Sequence, residues 1–175
     1  MLSVVPAAYA ARALSISTSS VGSWQMSGAI AARKQNQGWN ASFNWQQQGP
    51  NHYQIRLNGP LGNGAVLITR QGNTVTYRDG PKRLTGTNAS TMLERQTGVR
   101  LPVNYLYYWV RGLPAPGPVQ SIKRDSNNHL LFLRQAGYTI EYSQYKTIKQ
   151  FHLPTRMRVH NNQVFLKLVI RQWGI

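Results

Sequence analysis

The sequence contains no cysteine and only four carboxylate side chains, Asp79, Glu94, Asp125 and Glu141. Lacking thiols, its residues cannot form a cysteine nucleophile, a thiolate-bound zinc or a disulfide. Four scattered acids do not suit a paired-carboxylate hydrolase, an acidic calcium loop or a two-metal centre. No apolar run approaches the roughly 20 residues that a membrane-spanning helix needs. Catalytic signatures are missing as well: there is no Gly-x-Ser-x-Gly elbow, no His-Glu-x-x-His pair and no dinucleotide fingerprint. The histidines, His52, His129, His152 and His160, are dispersed along the chain, and Pro154 interrupts the last two. What remains is a binding protein rather than an enzyme, with no metal and no cofactor expected.

Positive charge, by contrast, is abundant. Lys and Arg number 20, giving a formal net charge of +16 over 175 residues. They never run beyond pairs (Arg33-Lys34, Lys82-Arg83, Lys123-Arg124), so there is no polybasic tail. Such a balance suits a solvated outer surface, an anionic membrane, an acidic protein partner or nucleic acid, and charge alone does not choose among them. Hydrophobic residues at 41% exclude a disordered chain. The length fits one domain that buries roughly 70% of its unfolded surface.

Residues 1–22 differ from the rest and read as an N-terminal arm. Pro6 to Leu14 is Ala-rich with Pro near a helix start, which predicts a short helix, and Ser15 to Gly22 is polar and flexible. Ala8-Tyr9-Ala10 has the form of a signal-peptidase site, but the stretch before it is short and uncharged, as in a trimmed start. The main domain is expected over 23–175.

From Trp24 onward the period is two. Trp24, Met26, Gly28, Ile30 and Ala32 share one face, as do Trp39, Ala41, Phe43 and Trp45. Tyr53, Ile55 and Leu57 repeat the pattern, as do Tyr138, Ile140 and Tyr142, and Val164, Leu166, Leu168 and Ile170. Each is a strand with one wet and one dry face. Turn formers separate them at Gln48-Gly49-Pro50-Asn51, Gln71-Gly72-Asn73, Asp79-Gly80-Pro81, Asn127-Asn128 and Asn161-Asn162. Many short antiparallel hairpins predict a sandwich or barrel.

Two helices interrupt the strands. Asn88 is a natural N-cap for Ala89 to Thr97, with Gly98 just past the end. Val103, Leu106, Tyr107 and Val110 recur at helical spacing over 103–111, and Gly112 stops the run. The Pro-rich stretch from Gly112 to Pro118 predicts a stiff loop. Another loop breaks the pattern: Gly59-Pro60-Leu61-Gly62-Asn63-Gly64 joins two strands yet carries a large apolar side chain amid turn formers. Leu61 either folds back on the domain or is held out to enter something apolar.

Several of these segments, in order, resemble the LolB family of outer-membrane lipoprotein receptors. They are Trp24 to Arg33 with Trp39-Asn40-Ala41-Ser42-Phe43-Asn44-Trp45, then Leu57-Asn58-Gly59-Pro60-Leu61-Gly62. Gly98-Val99-Arg100-Leu101-Pro102-Val103 with Trp109-Val110-Arg111-Gly112-Leu113-Pro114 follows, and Leu153-Pro154-Thr155-Arg156-Met157 with Leu166 to Trp173 closes the series. The likeness spans about Trp24 to Trp173. Two departures stand out: Tyr138 sits where the family usually has Trp, and the lipid-bearing cysteine of the mature N-terminus has no counterpart, so this chain is expected to be soluble.

The resemblance implies a mostly β fold with a few helices: an incomplete antiparallel barrel of about eleven strands, its helices covering an apolar cavity. It implies a monomeric receptor on the periplasmic face of the outer membrane. Such a receptor accepts acylated lipoproteins from a periplasmic carrier of the LolA type and inserts them into the inner leaflet without nucleotide. The cavity would be lined by Trp24, Met26, Ile30, Phe43, Trp45, Tyr53, Ile55, Leu57, Leu93, Leu106, Trp109, Tyr142, Leu166 and Leu168. Pro60, Leu61 and Gly62 would form a membrane-insertion loop. A carrier of the same fold is the nearest alternative. A basic single-stranded nucleic-acid module is the alternative of another class, disfavoured because the aromatics alternate onto apolar faces. Alternation alone does not separate a cavity from a filled core.

Overall fold

A computed structural model describes residues 17–59 and 64–175. The expected helix over Pro6 to Leu14 and the loop tip Pro60-Leu61-Gly62 lie outside the described residues.

Strict alternation of apolar and polar residues generates the strands, and the turns between them set antiparallel pairing. The strands are β1 (Ser23–Lys34), β2 (Gln37–Gln48), β3 (His52–Asn58), β4 (Ala65–Gln71), β5 (Thr74–Asp79) and β6 (Lys82–Gly86). After two helices come β7 (Val119–Arg124), β8 (Leu130–Gln135), β9 (Tyr138–Ile148), β10 (Phe151–His160) and β11 (Phe165–Gly174). They form one antiparallel sheet of 11 strands in the order β6-β5-β4-β3-β2-β1-β11-β10-β9-β8-β7. The two halves, each a simple meander, are joined by the β1–β11 pairing, and the edges β6 and β7 do not pair. The sheet is therefore an unclosed barrel.

The helices α1 (Ala89–Thr97) and α2 (Val103–Trp109) lie in sequence between the two free edges. Asn88 caps α1 by accepting from the Thr91 backbone N–H at 3.0 Å, and Gly98, at φ 81°, ends it. Beyond Trp109, α2 tightens into a turn. Gly112 donates to Trp109 O at 3.0 Å and Leu113 to Tyr108 O at 3.2 Å, with Gly112 at φ 75°. These two bonds satisfy the last carbonyls, so regular helix stops at Trp109 while the chain turns at the expected glycine.

Where a polar linker was expected, Thr18–Ser20 form a 3-10 turn capped by the Ser17 hydroxyl, and Thr18 and Val21 are buried. The reason is Arg111. Its Nη1 donates to Val21 O at 2.8 Å, while the Thr18 hydroxyl donates to Arg111 O at 2.8 Å.

On the inner face the register aligns side chains into rows that cross the strands. One row runs Trp24, Gln47, Tyr53, Arg70, Val75 from β1 to β5, and the next runs Trp173, Met26, Trp45, Ile55, Ile68, Tyr77. Gly28, Phe43, Leu57 and Val66 form a third. Tyr142, Met157, Leu168, Ile30 and Ala41 form a fourth, and Ile140, Val159, Leu166, Ala32 and Trp39 a fifth. The β1–β11 register shifts at Ser27/Gly28, so Arg171 and Gln172 both face out and Trp173 rejoins the face that Ile170 occupies. That bulge is how an odd-numbered tryptophan joins the even-numbered inner face of β11.

Candidate functional site

The inner face of the half-barrel and the two helices pack into one apolar cluster. All fourteen residues expected from the sequence to line a cavity belong to it, none more than 7% exposed. Eleven of them stand on the sheet rows. Leu93 reaches the same cluster from α1, and Leu106 and Trp109 from α2. At these residues the interior is closed to solvent in this state.

Aromatic rings dominate one end. Trp24 lies 5.4 Å from Trp173, 5.5 Å from Trp45 and 6.3 Å from Tyr107 on α2, and Trp45 lies 6.2 Å from Tyr53 (ring centroids). The Trp24–Tyr107 pair is stacked and the others are tilted or edge-on, geometries that add to area burial. Helix α2 is tied down by polar contacts inside the same cluster. Trp109 Nε1 donates to Gln135 Oε1 at 3.0 Å, and Gln135 also exchanges two bonds with the Ala115 backbone, at 2.8 and 2.6 Å. The Tyr142 hydroxyl donates to Trp109 O at 2.6 Å. Burial pushes the Tyr142 phenol well above its ordinary value, so it stays a donor.

Arg111 is the largest polar side chain inside. It is 3% exposed, donates from Nε to Tyr107 O at 2.9 Å, and lies 4.2 Å from the Tyr107 ring centre. On the other helix, Glu94 bridges Lys34 on β1 at 3.4 Å and Arg100 at 3.2 Å. The Arg100 hydrogen bond holds the Glu94 carboxyl below its ordinary range, partial desolvation opposes this, and Lys34 adds to the lowering.

Sequence reasoning missed Gln47, Gln135 and Arg111, the buried polar residues that organise this interior. A signal existed for Gln47, which continues the Phe43, Trp45 alternation. For Gln135, and for Arg111 in its bond to Val21, the partners lie far away along the chain, and no local pattern marks them. The histidines are also less dispersed than the sequence suggests. His129 Nδ1 lies 3.2 Å from Asp125 Oδ2, and its ring lies 4.9 Å from that of His152. Among the described residues no group of three potential metal ligands gathers. The aromatic rings that a nucleic-acid platform would need on the surface are mostly inside.

The chain matches known proteins over the same span. A family model described as "Outer membrane lipoprotein LolB" covers residues 22–173. The chain belongs to the LolB family. The outer-membrane lipoprotein LolB of Pseudomonas paraeruginosa is 37% identical over 157 residues, covering 89% of this chain and 76% of the relative. That of Coxiella burnetii is 33% identical over 156 residues, covering 89% and 73%. Among solved structures, a LolA superfamily protein from Nitrosomonas europaea aligns with a TM-score of 0.59 at 11% identity, covering 92% of this chain and 94% of that one. Identity that low shows the fold alone, so it does not favour a carrier role. Among the described residues, no helix of this LolB-family chain is long and apolar enough to cross a membrane.

Proposed function

We infer that this protein is an outer-membrane receptor that accepts acylated lipoproteins from a periplasmic carrier and inserts them into the outer membrane. Membership of the LolB family carries that reading, and the continuous apolar inner face under two helices supports it. The ligand-contacting residues are the fourteen of the inner rows and helices. Because these are closed off here, an acyl chain enters by parting α1 and α2 from the sheet.

The energetics explain why a protein is needed and nucleotide is not. Burial of one methylene is worth about 0.8 kcal/mol, so a chain of roughly 15 resists entering water by about 12 kcal/mol. Release through water is slowed by roughly nine orders of magnitude. Transfer therefore runs from one covered site to another, and its direction follows from differences in affinity, from carrier to receptor to bilayer. The step involves no covalent chemistry, in keeping with a receptor rather than an enzyme. Leu61 in the β3–β4 loop is the group proposed to enter the bilayer, and the surplus of Arg and Lys draws the protein to anionic headgroups.

The test is unloading. Protein charged with a lipoprotein and mixed with liposomes alone should deposit its cargo in them. Retention of the cargo, as a carrier would show, contradicts the receptor reading.

A further inference from the structure

The buried ring donors divide by position in the sheet. In the β7–β11 half and on α2 they are satisfied. Trp173 Nε1 donates to Pro154 O at 2.8 Å, Tyr142 to Trp109 O and Trp109 to Gln135, and the half-buried Tyr145 donates to Leu130 O at 2.7 Å. On β1 to β5 only Trp45 is, through Gln47 Oε1 at 2.6 Å. Four others are buried without a partner among the described residues: the Trp24 and Trp39 indole N–H groups and the Tyr53 and Tyr77 hydroxyls.

An orphaned buried donor is costly, and native interiors seldom tolerate one. Four on strands β1, β2, β3 and β5 of one half, against none of those named in the other, is not how a finished core is built. Three of the four line adjacent rows of the inner face: Trp24 and Tyr53 occupy one row on either side of Gln47, and Tyr77 lies in the next row, two strands beyond Tyr53. Gln47 cannot serve them: its carbonyl is taken by Trp45 and its amide donates to Gly49 O at 2.7 Å. Arg70, the next residue in the first row, donates to Gly72 O at 2.9 Å and Asn104 Oδ1 at 3.0 Å, and a guanidinium has no acceptor to offer a ring donor. Burial raises the phenols of Tyr53 and Tyr77 to about 12, so both remain protonated donors at neutral pH.

We propose that Trp24, Tyr53 and Tyr77 form a polar subsite, within the β1–β5 half of the interior, that donates hydrogen bonds to the carbonyl oxygens of bound acyl groups. The complement of donors in an apolar wall is an acceptor attached to hydrocarbon, and an acyl ester or amide is that group. The subsite rests on the acyl-binding reading given above and deepens it. It distinguishes an acylated ligand from plain hydrocarbon of the same length.

The experiment compares a soluble peptide bearing S-(2,3-dipalmitoyloxypropyl)cysteine with its dialkyl ether counterpart, which lacks only the carbonyls, and with palmitic acid. The unmodified protein should bind the diester about tenfold tighter than the diether. In Tyr53→Phe the preference should drop to about fivefold, and in Tyr53→Phe/Tyr77→Phe to about twofold, the remainder carried by Trp24. Neither substitution should lower the thermal midpoint, because each removes a hydroxyl that bonds to none of the described residues. Tyr145→Phe, which breaks a formed bond, should lower the midpoint and leave the preference intact. Palmitic acid bound as tightly per chain as the diester would assign the donors to a free carboxylate rather than to ester-linked chains. Equal preference in the unmodified and Tyr53→Phe proteins overturns the subsite while leaving acyl binding standing, as does a midpoint loss in Tyr53→Phe. Failure of the unmodified protein to bind any of the three overturns the acyl-binding reading itself.

Discussion

The Arg111 guanidinium lies 4.2 Å from the ring centre of Tyr107, and through Nη1 it grips Val21 O at 2.8 Å. One side chain thus joins the end of α2 to the segment that leads into β1. Since α2 carries Leu106 and Trp109 into the interior, this clasp holds part of the cover over the proposed lipid site.

Removing that clasp leaves Tyr107 O and Val21 O without their charged donor and opens a void. Arg111→Ala should therefore cost about 3 kcal/mol. For a chain of this size that is a drop of about 6–12 °C in the thermal midpoint. Arg111→Lys should recover only part, because an ammonium cannot match the forked donor geometry. Differential scanning calorimetry measures both, and a midpoint unchanged in Arg111→Ala would contradict the assigned role.

Gly28 sits at the β1–β11 bulge, where an added Cβ would lie 1.9 Å from Val169 O. Backbone, unlike a side-chain tip, cannot swing aside. Gly28→Ala should break the one pairing that joins the two halves of the sheet, seen as loss of β-sheet circular dichroism or insoluble expression. Gly72→Ala, with open space around its Cβ and only its φ of 62° to strain, should cost far less.

Glu94 ties α1 to Lys34 of β1. Its carboxyl is held below the ordinary 4.5 in the folded protein, chiefly by Arg100. A depressed folded value means the contribution is present above the unfolded pKa and is lost as pH falls through the folded one. Glu94→Gln should thus be less stable than the parent at pH 7, and the gap should close below pH 4.5. Urea midpoints across that range test this, and a gap that persists at the acidic end would contradict it.

Leu61→Glu should leave folding and ligand uptake unchanged while slowing delivery of lipoprotein to liposomes, because a charged tip is costly to place among acyl chains. Delivery at the parental rate would remove Leu61 from the mechanism.

Much of this was legible in the chain. The alternation from Trp39 to Trp45 predicted which face of β2 is dry, and Asn88 and Gly98 bounded α1 to the residue. Three hairpin turns hold a residue other than glycine or asparagine at positive φ: Gln35, Ala136 and Lys149, at 53°, 53° and 55°. Their turns are imposed by the strands on either side. The β1–β11 pairing joins segments far apart in sequence, so no local pattern reports it. At the site, the rows of Trp24, Trp45 and Tyr53 were visible from period two. The difference between Trp45, which meets Gln47, and Trp24, which meets no acceptor among the described residues, needs three dimensions.

The central claim is that the interior admits a fatty chain. Titrating the protein with a fluorescent fatty-acid probe, in competition with a diacylated lipopeptide, tests it most directly. The account predicts saturable binding near one site per chain, displaced by the lipopeptide and accompanied by a change in tryptophan emission from Trp24, Trp45 and Trp173. No saturable binding, with tryptophan emission unaltered, would show that the interior is only a core.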